Sequence, residues 1–170
     1  MSITVDGTVY PLSHLAPFTY TCSGVGRDGA DIVVRVSFKT HVYSKSLAIV
    51  SDPHHLFDEG GQKRVFCPQR YLISLTLPQR CRKMISDNFL TWVSEDKNTI
   101  SNMAVIDGVI RDGEHAVMFY YLYPSRADGI DVEFVVKSSY MRELIASRIK
   151  RRFNVVQKIK ECYFKQKVVP

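Results

Sequence analysis

The run Ala116-Val117-Met118-Phe119-Tyr120-Tyr121-Leu122-Tyr123 is the most apolar in the chain. Its length and its aromatic residues favour a central strand over a helix. Ala127-Asp128-Gly129 then supplies turn chemistry, and Ile130 to Lys137 resumes an extended pattern, so the two runs predict a hairpin. A central strand of this kind commits the fold to a sheet, and the remaining elements must cover it.

Several other segments read as strands. Ile32-Val33-Val34-Arg35-Val36-Ser37-Phe38 is β-branched and alternates with Arg35 and Ser37. Phe18 to Cys22 alternates in the same way, with a glycine-rich loop at Gly24, Gly26 and Gly29 between the two. Asp6-Gly7 is a turn pair. Arg64 to Cys67, Tyr71 to Leu77, Phe89 to Val93 and Ile100 to Ile106 are strand candidates, whereas Arg80 to Asp87 suits a short helix. After Ser138 the period changes. Met141, Leu144, Ile145 and Ile149 recur at helical spacing, and Ser139 is placed as an N-cap, so an amphipathic helix is expected from Tyr140 to about Arg151. Phe153 to Lys167 fits either a strand or a helix. Short turns between strands, with few helices, predict an α+β fold: a mainly antiparallel β-sheet with helices on one face and a short amphipathic helix near the C-terminus.

At 170 residues, with 45% hydrophobic and 24% charged residues, the chain suits one ordinary domain spanning 1–170. No apolar run reaches the roughly 18 residues of a membrane span, and the N-terminus lacks the pattern of a secretory leader. A cytoplasmic setting without membrane contact is expected. Cys22, Cys67, Cys81 and Cys162 lack the paired spacing of zinc or redox motifs and are expected to be reduced and packed.

Charge is unevenly spread. From Lys137 onward there are ten basic residues and only two acidic ones, Glu143 and Glu161, while the 136 residues before them carry 13 basic and 15 acidic side chains. A basic segment of about 137–170 points to a polyanion. Lys137, Arg148, Lys150, Arg151, Arg152, Lys158 and Lys160, interleaved with Phe153, Tyr163 and Phe164, are the candidate nucleic-acid-binding residues: cations hold phosphates and aromatics stack on unpaired bases. RNA is favoured over DNA, alone or in a protein complex.

No P-loop, dinucleotide fingerprint or nucleophile elbow occurs, and no cofactor is expected. Adjacent His54 and His55 project differently and make an awkward chelating pair, so no metal site is assigned. The sharpest enzymatic reading left is a metal-independent ribonuclease. Such chemistry needs a base for the 2′-hydroxyl, an acid for the leaving oxygen and cations for the phosphorane. His41, Arg70, Tyr71, Ser139, Tyr140 and Arg142 are the candidate catalytic residues. A strand ending in Ser139-Tyr140 beside Lys137 and Arg142 is similar to the catalytic sheet of the small barnase/RelE-like ribonucleases. The chain also resembles small proteins of bacterial chromosomes and mobile elements, in Phe66-Cys67-Pro68-Gln69-Arg70-Tyr71, Ser74, Leu77-Pro78 and the stretch from Val136 to Arg142. That likeness implies a bacterial cytoplasm, where such proteins include toxins and anti-defence factors. The alternative reading is a non-enzymatic interaction or inhibitor protein, for which nine Tyr, nine Phe and one Trp supply interface aromatics.

Overall fold

The computed structural model describes residues 1–46, 55–96, 99–149 and 151–170, with only the backbone of His55, Glu95, Asp96 and Thr99. His54, most of the loop before it, and Lys150 lie outside the described residues. Asp6 and Gly7 both take positive φ (48° and 76°) and join β1 (Ser2–Val5) to β2 (Thr8–Pro11). This is the two-residue turn whose twist suits a hairpin. Next come β3 (Phe18–Cys22) and β4 (Ile32–Phe38), then three short strands, β5 (Ser44–Ser46), β6 (His55–Phe57) and β7 (Lys63–Phe66). Two helices, α1 (Pro68–Ser74) and α2 (Leu77–Ser86), precede β8 (Leu90–Asp96), β9 (Thr99–Val105), β10 (Gly113–Pro124) and β11 (Val132–Leu144). The chain closes with β12 (Arg152–Asn154) and α3 (Val155–Lys165).

The main sheet has the order β12-β8-β9-β10-β11-β4-β3. Every neighbouring pair in it is antiparallel except β11 and β4, which run parallel. The expected α+β class, mainly antiparallel, is therefore the observed one. The run that begins at Ala116 is the core of β10, and it forms the expected hairpin with β11.

One face of this sheet is packed by helices. Ile32, Val34 and Val36 of β4, Val132, Phe134 and Val136 of β11, and Met118, Tyr120 and Leu122 of β10 are all buried there. Against them lie Leu77, Cys81, Met84 and Ile85 of α2, and Val155, Ile159 and Cys162 of α3. Both helical sets follow i, i+4, i+7 spacing, one apolar stripe per helix. The ring of Tyr120 stacks on Phe134 at 4.4 Å between centroids. All four cysteines are buried and unpaired. The other face holds a smaller apolar cluster of Met103, Val117, Phe119 and Leu144.

Two expected elements are corrected. Tyr71 to Leu77 is not a strand: α1 occupies Pro68–Ser74 and α2 begins at Leu77. Pro68 and Pro78 sit in the first turns of these helices, where a missing N–H costs nothing, and the buried positions Ser74, Leu77 and Cys81 keep helical spacing. Tyr140 to Arg151 is not a helix. β11 continues to Leu144, and a 3-10 turn follows at Ala146–Arg148. Its residues pair with the first half of β10, from Gly113↔Leu144 to Val117↔Tyr140, a partner that only the fold supplies. Helical spacing at Met141, Leu144 and Ile145 coexists with strand alternation, and the open edge of a twelve-residue strand decides between them. The C-terminal amphipathic helix is α3, and the ambiguity over Phe153 to Lys167 resolves as β12 followed by that helix.

Candidate functional site

His41 sits in a 3-10 turn, Thr40–Val42, directly after β4. The Lys39 N–H donates to the Val136 carbonyl at 2.9 Å, which carries the β4–β11 ladder one step further before the turn. Val42 is buried in the helix-side core and anchors the turn, leaving His41 partly exposed. The loop between β6 and β7 braces it from outside. Glu59 accepts bonds from the Thr40 N–H (2.8 Å) and hydroxyl (3.1 Å). Asp58 Oδ1 accepts from the N–H groups of Gly60 and Gln62, both at 2.9 Å, and its Oδ2 lies 2.9 Å from His41 Nε2.

This arrangement sets the charge states. The bond to His41, with those from Gln62 and Gly60, holds the Asp58 carboxyl down to about 2, so it is an acceptor only at neutral pH. Burial lowers the pKa of His41; the Asp58 bond opposes this and the nearby Arg64 guanidinium adds to it. The imidazole is therefore neutral at pH 7. Since Asp58 can only accept, Nε2 carries the proton and Nδ1 is left as the basic nitrogen.

Beneath the turn two arginines hold the backbone. Arg64 is buried, donating from Nε to Ser44 Oγ at 2.7 Å and from Nη2 to the Ser44 carbonyl at 3.2 Å. Arg70, from α1, donates from Nη1 to the carbonyls of His41 (3.1 Å) and Ser44 (2.7 Å), and its guanidinium lies 4.8 Å from the Tyr140 ring centroid. Tyr140 in turn stacks on Phe119 at 5.3 Å. The fold thus brings His41, Arg70 and Tyr140 together, with Arg70 and Tyr140 as supports of the histidine turn.

In front of His41 lies a cavity of about 380 Å³, lined by Lys39, His41, Glu59, Tyr121, Tyr123 and Lys137 among others. A β-bulge shapes it. The β10–β11 register jumps from Phe119↔Ser138 to Tyr120↔Val136, so Lys137 is the extra residue. Bulges re-aim side chains in this way. Lys137 Nζ donates to the Tyr121 hydroxyl at 3.1 Å and lies 5.2 Å from its ring centroid. Tyr121 and Tyr123 flank each other at 6.2 Å.

The other candidates are elsewhere. Ser139 is buried and faces the Val42 carbonyl at 3.5 Å; with a strand in place of the expected helix, it is not an N-cap. Tyr71 donates to the Pro11 carbonyl at 3.1 Å and packs with Tyr10, Phe66 and His14, outside the lining of the His41 cavity. Arg142 donates to Ser94 Oγ at 3.2 Å and, with Arg148, lines a separate cavity of about 320 Å³. Arg151 and Arg152 are exposed around β12, as is Lys160 on α3. Lys158 is buried, paired with Glu161 at 3.5 Å and lying 4.1 Å from the Phe153 ring centroid, so its ammonium is engaged within the protein. Lys39, Asp58, Glu59, Tyr121 and Tyr123 escaped the sequence reading of the site. Tyr121 and Tyr123 had a usable signal: at i, i+2 in a strand they share the face opposite buried Tyr120. Among the described residues no three His, Cys, Asp or Glu side chains gather as a metal site. No helix there is long and apolar enough to cross a membrane.

The fold defines an α+β protein whose main sheet carries its helices on one face and a polar, aromatic cavity beside the end of β4. Residues 2–165 match the YjaZ family, and the chain belongs to it. Neither curated proteins nor solved structures yielded a match.

Proposed function

We propose that the protein binds single-stranded RNA at the His41 cavity and cleaves it without a metal ion. The observation that carries this reading is the shared lining: a neutral histidine oriented by a carboxylate, two lysines and two tyrosines in one cavity. His41 Nδ1 takes the proton of a ribose 2′-hydroxyl, and the freed oxygen attacks the adjacent phosphorus. Lys39 and Lys137 offset the charge that develops on the phosphoryl oxygens. Tyr121, its hydroxyl oxygen already accepting a bond from Lys137, supplies the proton for the departing 5′-oxygen. The exposed faces of Tyr121 and Tyr123 give neighbouring bases a surface to stack on.

The test is incubation of the purified protein with labelled RNA in EDTA at two salt concentrations. Cleavage that is lost in His41→Ala and strongly reduced in Tyr121→Phe supports the enzyme. Salt-sensitive binding without cleavage leaves an RNA-binding protein. Absence of both rejects the reading.

A further inference from the structure

A third cavity, of about 390 Å³, opens where α2, the start of β8 and the β9–β10 connection meet. Its walls are largely apolar: Met84 from α2, Trp92 from β8, and Val105, Ile106 and Val109 from the β9 side. Several of the apolar residues around it face solvent rather than closing over it. Val109 is 86% exposed, Leu90 43% and Phe89 39%. Isolated exposed apolar side chains are ordinary, but several converging on one concavity are the mark of a binding site. The volume falls within the roughly 300–1,000 Å³ of small-molecule pockets.

The rim gives the charge of the occupant. Arg80 and Lys83, one helical turn apart on α2, both line the cavity. Lys83 is paired with Asp87 and lies 5.6 Å from the Phe89 ring centroid, whereas Arg80 is exposed. Asp107, which sits in the chain between the lining residues Ile106 and Gly108, is held by His115 Nδ1 at 3.0 Å and by the Ala116 N–H at 2.8 Å. A cationic edge over an apolar floor fits a ligand with an anionic head and an apolar body.

We propose that this groove binds a small amphipathic anion, with its apolar body against Trp92, Val105 and Ile106 and its head group at Arg80. The site is separate from the His41 cavity, with which it shares no lining residue, and the proposal does not rest on the RNA reading.

Trp92 is the chain's one tryptophan, so its fluorescence reports on this groove. The full chain is titrated with dodecanoate below its micelle concentration and, in parallel, with dodecanol, which keeps the apolar body and lacks the charge. A saturable change in Trp92 emission is expected, with dodecanoate binding at least about tenfold more tightly, the scale of one charge-assisted hydrogen bond. Arg80→Glu should abolish that preference. Val109→Asp, at a site too exposed to affect the core, should weaken both ligands. An unsaturable or absent response overturns the proposal, as does equal binding of acid and alcohol by the unmodified protein, or a response that Val109→Asp leaves unchanged.

Discussion

Asp58 Oδ2 lies 2.9 Å from His41 Nε2, and these two side chains come from segments that share no regular element: a turn after β4 and a loop after β6. The carboxylate fixes the imidazole tautomer, and with it the nitrogen available for proton transfer. Asp58→Asn should lower RNA cleavage by about 10²-fold, the low end of what a positioned base contributes. Asp58 raises the pKa of His41 against burial, so the acid limb of the pH–rate profile should lie below 6.5 in the native protein and move lower still in Asp58→Asn. A limb that moves upward would refute the assignment.

Stability should fall on acidification in two windows. His41 has a folded pKa below its ordinary 6.5, so between the two values the unfolded chain binds the proton and the folded one does not. Its contribution is complete above pH 6.5 and declines as pH falls beneath it. Asp58 is held at about 2 against an ordinary 3.8, and Glu59 is also lowered from 4.5 by its bonds from Thr40, although burial works against it. Their contributions hold at neutral pH and are lost as pH drops from about 4.5 toward 2. Urea titrations across pH should show both declines, and His41→Gln should remove the first and shrink the second, because the His41 bond is the largest of the contacts that hold Asp58 down.

Much of the sheet was legible because its strands carry their own pattern. Ile32 to Phe38 announces itself by its β-branched residues and Ala116 to Tyr123 by its aromatics, and the fold buries Ile32, Val34, Val36, Phe119 and Tyr120 among them. Tyr140 to Leu144 was not legible, because its strand state depends on the far half of β10 across a hairpin. The cavity was legible only in part. His41 and Lys137 stood out as residue types, but Asp58 lies seventeen positions further along the chain, a separation that no helical or strand period marks. Lys137 owes its place to a bulge that alternation alone does not foretell.

Tyr120→Phe should leave the protein as stable or make it about 1 kcal/mol more so. The hydroxyl is buried with no hydrogen-bond partner among the described residues; Thr91, its near neighbour, donates instead to the Phe153 carbonyl at 3.3 Å. Removing an unsatisfied buried hydroxyl relieves a desolvation cost, while the ring keeps its stack on Phe134. Phe134→Ala, by contrast, empties a fully buried site and should cost about 3–5 kcal/mol. Thermal melts of the two variants should move little or slightly upward for the first and sharply downward for the second.

Lys39 and Lys137 should set the salt dependence of RNA binding. They reach the cavity by different routes, one at the end of the β4–β11 ladder and the other on the bulge. Each phosphate contact to a single strand contributes about 0.7 to the slope of log affinity against log salt. The double variant Lys39→Gln, Lys137→Gln should therefore flatten that slope by about 1.4. The same pair of changes at Arg152 and Lys160, exposed on β12 and α3 and absent from the cavity lining, should leave the slope intact if the His41 cavity is where the strand lies. If instead the Arg152 and Lys160 pair carries the slope, the polyanion runs along the C-terminal basic segment, and cleavage at His41 would have to be explained by a second contact. Fluorescence anisotropy with a short labelled oligonucleotide, repeated from low to physiological salt, separates the two cases.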